Sequence, residues 1–243
     1  MAKTAAKRNG AAIGARRQVT RLPPERRIAE ILLAARDVFT EKGYHEALIS
    51  DIADRAGVVE GSIYRFFANK RDLLVKTVEH WYEDMLAHDE EQFRALRGTW
   101  NRIRFVVRHH LATIRKEPAL SRLVFQELRP APDYRGTRLF QLNQAYSHRI
   151  VDIVKDAMAS GEFRKDVSAS LVRDMVYGAV EHRTWAFLRG EGEFQIDETA
   201  DGITEILCRG LAAQPPPDAA RDVTLRLERA VNRLEALAGR GAP

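Results

Sequence analysis

Apolar residues near the start of the chain recur at helical intervals. Between Ile28 and Phe39 they are spaced by three or four residues, which places them on one face of an α-helix. Pro23 and Pro24 precede this segment and suit the first turn of a helix, and Gly43 is a typical C-cap. The pattern therefore predicts a first helix that ends near Gly43. Its apolar positions are Ile28, Ile31, Leu32, Ala35, Val38 and Phe39.

Two short helical segments follow, and a glycine separates them. The pattern predicts helices at about 49–56 and 60–66, with a tight turn at Gly57. A long helix then begins near Asn69. Two short helices joined through a glycine and preceded by a longer helix are typical of a helix-turn-helix unit. The apolar face of the long helix consists of Leu73, Leu74, Val78, Trp81, Met85 and Leu86.

The rest of the chain keeps the helical pattern and shows no sustained alternation of apolar and polar residues. We therefore predict an all-α fold without a β-sheet. Breaks at glycine- and proline-containing segments divide it into helices near 99–116, 119–128, 136–160, 168–189 and 197–212.

The C-terminal segment, residues 214–243, begins with a stiff proline-rich break, "QPPPD". Apolar residues beyond it step by four and three, which is a heptad seam of about two heptads. A seam this short packs on the body of the same chain or on a partner chain, and the sequence leaves both open. The seam consists of Val223, Leu227, Ala230, Leu234 and Leu237.

Composition and motifs exclude several classes of protein. The single cysteine, Cys208, excludes an intramolecular disulfide and a multi-cysteine zinc site, and favours a cytoplasmic location. No apolar run approaches a membrane span, so no membrane partner is expected. The catalytic fingerprints HExxH, GxSxG, Walker A and Rossmann are absent, which argues against an enzyme. His109 and His110 point about 100° apart on a helix, so we expect no metal site and no cofactor.

The net charge of +5 is concentrated at the N-terminus. Residues 1–22 carry six basic residues and no acidic one, while the remaining chain carries 33 basic and 34 acidic residues. This Ala- and Gly-rich arm is not expected to fold alone. It is either a solvated tail or an electrostatic arm for a phosphate backbone.

The second short helix of the helix-turn-helix unit carries groups that suit contact with DNA. Gly61 allows a close approach of the backbone, and Ser62, Tyr64 and Arg65 offer hydroxyls and a cation. Lys70 follows at the start of the long helix. Hydroxyls, backbone amides and lysines are the groups that commonly contact phosphates.

The segments "PERRIAEILLAARDVFTEKGY" and "ISDIADRAGVVEGSIYRFFANKRDLL" resemble the DNA-binding domain of the TetR family of bacterial repressors, over roughly residues 24–74. The resemblance implies a three-helix domain that reads operator double-stranded DNA and a larger helical domain that dimerises and holds a ligand. It also implies that Tyr64 and Lys70 contact phosphates. The residues implied at or near the major groove are Val59, Glu60, Gly61, Ser62 and Arg65. The implied organisation is a basic arm (1–22), a DNA-binding domain (23–72), a ligand-binding and dimerisation domain (73–213) and the C-terminal segment (214–243).

Two positions depart from the family pattern. The family usually has Thr or Ser as the N-cap of the helix before the turn, whereas this chain reads Ala47-Leu48-Ile49 there, with Ser50 as the nearest hydroxyl that could reach DNA. We expect this cap to be weaker by about 1 kcal/mol. The recognition helix begins with Val59 and Glu60, where the family often has Ser-Lys. Glu60 could accept from cytosine N4 and Val59 could meet a thymine methyl, or Glu60 could simply suit the helix dipole.

Two consecutive helices, 168–189 and 197–212, have broad apolar faces with small residues. The resemblance implies that they form a two-fold four-helix interface in a homodimer, as a palindromic operator requires. The alternative is that both faces are buried within one chain. The predicted interface residues are Val172, Val176, Ala179, Val180, Ile203, Ile206 and Leu207.

The segments "EPALSRLVFQELR" and "VKDAMASGEFRKDVSASLVRDMVYGAVEH" resemble the acyl-CoA-responsive branch of the family, which represses fatty-acid degradation genes. An acyl chain needs an apolar tunnel, and a CoA group needs arginines at its mouth. The predicted tunnel residues are Phe105, Leu111, Phe125, Leu128, Tyr146, Ile150, Met175, Tyr177 and Trp185, with Arg122, Arg129 or Arg149 near the mouth. The alternatives are a regulator of efflux or another pathway with a different hydrophobic ligand, and a DNA-binding protein without a ligand.

Overall fold

The computed structural model describes residues 23–213 and 225–231. Across these residues the fold is all-α, as predicted, and the β-structure is limited to one isolated bridge between Phe163 and Ala212. The helices are α1 (Pro24–Glu46), α2 (Ile49–Ala56), α3 (Glu60–Ile63), α4 (Lys70–Ala95), α5 (Thr99–Lys116), α6 (Pro118–Leu123), α7 (Arg138–Ser160), α8 (Ala169–Leu188) and α9 (Ile196–Leu211).

The helix boundaries follow the local sequence signals. Pro24 opens α1, and Gly43 interrupts its last turns with φ of 75°. Gly57 ends α2 in the left-handed conformation, and the Asn69 side chain caps α4 by accepting from the Asp72 amide. The predicted helix 60–66 ends early, at Ile63, because the next residues form a turn. The predicted helix 119–128 is α6 followed by a π-helical turn, Val124–Leu128.

The first hydrophobic core joins the helix-turn-helix unit to the rest of the molecule. Residues of α1 to α4, such as Phe39 and Leu74, are buried in one cluster with Leu120, Leu123 and Tyr146 from α6 and α7. The predicted domain boundary after residue 72 therefore falls in the first turn of α4. We call residues 23–72 the head and residues 73–213 the body, and α4 belongs to both.

The second core lies entirely in the body, where α5 packs on α7, α8 and α9. Its fully buried residues include Ile103, Leu111, Ile150 and Val180. Polar groups on the buried faces are satisfied locally, since Thr184 and Thr204 donate to carbonyls one turn earlier. This core gives the body a rigid base on which α4 and the head are placed.

Three predictions for the chain ends fall wholly or partly outside the described residues. The basic arm, residues 1–22, and the proline-rich break, residues 214–218, lie outside them, as do the seam residues Val223, Leu234 and Leu237. Residues 225–231 are helical, and Leu225, Leu227 and Val231 are exposed on them. The choice between packing on the body and packing on a partner chain stays open.

Candidate DNA-recognition head and effector site

The helix-turn-helix unit separates its buried and exposed side chains by face. Ile52, Ala53, Ile63 and Phe67 are buried against α1. The Val58 amide donates to the Ala53 carbonyl at 2.9 Å, which closes the turn around Gly57. The short α3 is thus held by its apolar residues, and its other residues are free to face a ligand.

The predicted DNA-binding residues of this unit are accessible. Val59 is 74% exposed and Tyr64 50%, and Ser50, Glu60, Gly61 and Arg65 are also exposed. Ser62 is half-buried. An accessible tyrosine hydroxyl next to an arginine offers the groups that commonly contact phosphates, so the arrangement suits contact with DNA.

Arg27 lies near this surface and was not part of the sequence prediction. It lines a groove of about 570 Å³ together with Pro23, Gly57, Ser62 and Arg65. Its guanidinium pairs with Glu30 at 3.3 Å, which is a weak exposed contact. The "PERR" at the start of α1 was the sequence signal that could have identified it.

Lys70 is placed differently from a free surface lysine. Its ammonium donates to the His45 carbonyl at 3.0 Å and lies 4.8 Å from the centre of the Tyr44 ring. This fixes the first turn of α4 against the end of α1. Because an ammonium has three donors, a phosphate contact remains open to Lys70, and that role stays a prediction.

The α2 N-terminus has the weak cap that the sequence predicts. Leu48 is the N-cap, is 59% exposed and makes no side-chain capping hydrogen bond. The Asp51 carboxylate does accept from the Leu48 amide at 3.0 Å, which is half of a capping box.

We expect Leu48→Thr to raise the free energy of unfolding by about 1 kcal/mol, because the hydroxyl would accept from the Asp51 amide and complete the box. Urea unfolding measures the effect. Leu48→Ala is the matched control, since it removes the same exposed side chain without adding an acceptor. Equal stabilities of the two variants would contradict the prediction.

A small aromatic cavity lies in the body between α4, α5, α6 and α7. Its free volume is about 20 Å³, enough for about one water molecule. Phe125 and Tyr146, two of the predicted tunnel residues, line it. The remaining lining was missed, because on α4 the apolar stripe with Trp81 was interpreted as core. The full lining is Trp81, Tyr82, Met85, His110, Thr113, Ile114, Ser121, Val124, Phe125 and Tyr146.

Hydrogen bonds tie the polar groups around the aromatic cavity together. His110 Nδ1 and the Tyr146 hydroxyl are 3.1 Å apart, and the Tyr177 hydroxyl donates to the Tyr146 carbonyl at 3.4 Å. Burial lowers the pKa of His110 to about 3 and raises the pKa of both Tyr82 and Tyr177 above the ordinary value. The cluster is therefore uncharged at neutral pH.

Most other predicted tunnel residues do not line this cavity. Leu111, Leu128 and Ile150 are buried core residues, and Phe105 stacks on His109. Trp185 is half-buried on α8.

The structure contradicts the prediction that Met175 lines the tunnel. This side chain is 56% exposed because it lies on the outer face of α8, so it lines no interior tunnel.

The three predicted mouth arginines are engaged elsewhere. Arg122 donates to the Leu188 carbonyl at 2.7 Å. Arg129 pairs with Glu181 and lies over the Phe125 ring, and Arg149 pairs with Glu90. They fasten helices to one another in this structure, and none lines the aromatic cavity.

We expect the burial of His110 to make the protein less stable in acid. Its pKa is about 3 in the folded chain and about 6.5 in an unfolded one, so unfolding takes up a proton. The contribution of the neutral His110 to the free energy of unfolding is fully present above pH 6.5. Below that pH the free energy of unfolding falls by about 1 kcal/mol per pH unit, towards pH 3. Urea unfolding across this range measures the slope. His110→Gln should flatten it, whereas His148→Gln, at an exposed position, should not; equal slopes would contradict the assignment.

Comparison with known families decides the classification. The model of the tetR family of bacterial regulatory proteins matches residues 31–77, and the model of the tetracyclin repressor-like C-terminal domain matches residues 97–211. The chain belongs to the TetR family. TetR-family proteins are DNA-binding regulators rather than enzymes, so the expectation of a non-enzymatic regulator is confirmed.

Curated relatives of this TetR-family chain are regulators of transcription. The fatty acid metabolism regulator protein of Bacillus subtilis is 23% identical over 182 residues, which are 75% of this chain and 94% of the relative. The transcriptional activator FasR of Mycolicibacterium smegmatis is 24% identical, with 83% and 90% covered. The transcriptional repressor KstR2 of Mycobacterium tuberculosis is 26% identical, with 67% and 80% covered.

A solved structure shares the fold of this TetR-family chain. The transcriptional regulator FadR from Bacillus subtilis, crystallised in complex with stearoyl-CoA, superposes with a TM-score of 0.67 at 23% identity. The match covers 75% of this chain and 98% of the other. Among residues 23–213 and 225–231, no helix is long and apolar enough to span a membrane.

TetR regulators form dimers, and both α8 and α9 of this chain expose apolar residues. Four predicted interface residues are corrected. Val172, Val176, Val180 and Leu207 are at most 7% exposed within one chain, because they point into the second core. Ile206 is 73% exposed and Ala179 is exposed, while Ile203 is half-buried.

The exposed apolar residues of α8 are shifted by one position from the prediction. Leu171 and Met175 are 53% and 56% exposed, and Ala179 follows one turn later. Together with Ile206, which is exposed on α9, we call these residues the α8–α9 patch. Exposed apolar residues on two consecutive helices favour an interaction site there.

Proposed function

We propose that this chain is a cytoplasmic repressor that binds a palindromic operator as a homodimer and releases it when a hydrophobic effector, a long-chain acyl-CoA, enters the aromatic cavity. The observation that carries the proposal is the placement of α4. Leu73 and Leu74 at its start are buried against the residues of the head, and Trp81, Tyr82 and Met85 further along line the cavity. Because α4 contacts both the cavity and the head, a change in the cavity that displaces α4 also displaces the head.

The chemistry of the cavity supports a hydrophobic effector. Its lining is aromatic and apolar, with uncharged hydroxyl and imidazole groups that can orient a carbonyl oxygen. The relatives favour an acyl group, since one is named for fatty acid metabolism and the FadR structure contains stearoyl-CoA. We therefore propose an acyl-CoA before other hydrophobic molecules.

The small size of the cavity supports a mechanism in which the effector changes the conformation of the body. About 20 Å³ is far below the roughly 300–1,000 Å³ of sites that hold organic ligands. An acyl chain can enter only if α4, α5 and α7 move apart, so the effector binds a second conformation with an expanded body. By displacing α4, that conformation changes the spacing of the two heads, and the operator-bound population falls.

The test combines operator footprinting with thermal denaturation. A palindromic DNA site should be protected by the protein, and palmitoyl-CoA should raise the melting temperature, whereas CoA without the acyl chain should not. If the DNA site is protected but neither acyl-CoAs nor other hydrophobic molecules raise the melting temperature, the chain is a DNA-binding protein without a ligand. Stabilisation by a different hydrophobic compound would identify a regulator of efflux or of another pathway.

We further propose that the basic arm, residues 1–22, supplies much of the salt-dependent attraction to DNA. The head carries eight basic and nine acidic residues, so its own net charge is −1. The slope of log K against log salt changes by about 0.9 for each phosphate contact. We expect a shallower slope for a 23–243 truncation than for the full chain, and identical slopes would contradict the role of the arm.

A further inference from the structure

An open groove of about 330 Å³ adjoins the aromatic cavity. It lies between α1, α4, α5 and the start of α6, and it shares Trp81, Met85 and Thr113 with the cavity. These three side chains therefore line both the cavity and this groove. We call it the entry groove.

Two cations line the entry groove. Arg36 comes from α1 in the head, and Lys116 is the last residue of α5 in the body. Arg36 donates from Nη2 to Glu117 Oε1 at 2.5 Å, and its side chain keeps 32% exposure. Lys116 is exposed and has no ion-pair partner among the residues described.

Two acids also line the entry groove, and each is held by a partner. Glu117 is bound by Arg36, and Asp84 lies 3.1 Å from His80 on the same helix. His109 has its ring against Phe105 and its Nε2 3.3 Å from the Thr113 hydroxyl. An anion entering the groove therefore meets Lys116 without competition and meets Arg36 in competition with Glu117.

We propose that the entry groove binds the anionic group of the effector, a phosphate or a carboxylate, between Arg36 and Lys116. The inference rests on the proposed function, since it assigns the charged end of the ligand whose apolar chain fills the cavity. An anion at Arg36 competes with Glu117 and so weakens an ion pair that joins head and body. The arginines at 122, 129 and 149 are not needed for this role.

Charge variants at Lys116 and Glu117 test the assignment in opposite directions. Lys116→Gln removes the unpaired cation from an exposed position, so the fold is retained. Glu117→Gln removes the competitor of the anion while keeping the shape of the side chain. Lys155→Gln, at an exposed position on α7, is the matched control for loss of one positive charge.

Dissociation constants are measured for palmitoyl-CoA, palmitate and the uncharged hexadecanol, at low and at high salt. We expect Lys116→Gln to raise the dissociation constant of an anionic probe about fivefold and Glu117→Gln to lower it about threefold. Both effects should be smaller at high salt. Hexadecanol should bind all variants equally. Effects on palmitoyl-CoA alone assign a phosphate, and effects on palmitate assign a carboxylate.

Two other results have distinct meanings. If the wild-type protein binds the acyl probes but both groove variants behave like Lys155→Gln, the groove assignment is overturned and the proposed effector stands. If the wild-type protein binds none of the three probes, the acyl effector is wrong and the groove assignment falls with it.

Discussion

Ile206→Glu is expected to convert the protein into a monomer and to weaken operator binding by at least about 100-fold. Ile206 is 73% exposed in one chain, so the substitution leaves the monomer core intact. In a dimer built on the α8–α9 patch, however, the carboxylate would be buried without a partner, which is strongly unfavourable. Loss of the dimer removes the simultaneous contact of two heads with two half-sites.

Sedimentation velocity and fluorescence anisotropy with a labelled operator measure the two effects. Ile206→Met keeps the apolar side chain and should remain dimeric. Ala145→Glu adds the same charge at an exposed position of α7, outside the patch, and controls for electrostatic repulsion of DNA. If Ile206→Glu remains a dimer at the concentrations at which the wild type is one, the interface lies elsewhere.

Tyr64→Ala is expected to weaken operator binding by about 10-fold or more, because a hydrogen bond to a charged phosphate contributes about 1.5–3 kcal/mol. The residue is 50% exposed and its hydroxyl donates to no group among the described hydrogen bonds. Stability should therefore change by less than about 0.5 kcal/mol.

Tyr64→Phe is the matched control, since it keeps the ring and removes only the hydroxyl. If Tyr64 contacts a phosphate through its hydroxyl, Tyr64→Phe and Tyr64→Ala should reduce the affinity for the operator to a similar extent. The affinity for unrelated DNA should fall in parallel. If Tyr64→Ala binds the operator with wild-type affinity, Tyr64 does not contact the DNA.

The helices were predictable because their signals are local. Pro24, Gly57, Asn69 and Gly161 each end or begin a helix through the conformation of one or two residues. The buried face of α1 was equally clear, because a single stripe of apolar residues defines it. The early end of α3 was missed, since nothing local in "SIYRFF" shows that the chain turns after Ile63.

The exposed apolar residues Leu171 and Met175 of α8 each lie one position before a predicted interface residue, and this has a physical reason. This helix is apolar around a wide arc, with Leu171 and Val172 adjacent, and one arc serves both the core and the α8–α9 patch. Which valine faces inward depends on the packing of α5 and α7 against it, and no sequence periodicity encodes that rotation.

The aromatic cavity could be predicted only in part, because it is a product of tertiary contact. Phe125 and Tyr146 were found as isolated aromatics, but Trp81 and His110 meet them only after α4 and α5 are packed together. The same holds for Arg36 and Glu117, which are 81 residues apart in sequence. Their pairing depends on the position of the head on the body.

Titration of the operator complex with palmitoyl-CoA tests effector-controlled release. We expect the fluorescence anisotropy of a labelled operator to fall to the value of free DNA as palmitoyl-CoA is added, and CoA alone to have no effect. By reciprocity of coupled binding, the operator should weaken palmitoyl-CoA binding by the same factor. An operator complex that persists at palmitoyl-CoA concentrations that saturate the free protein would contradict effector-controlled release.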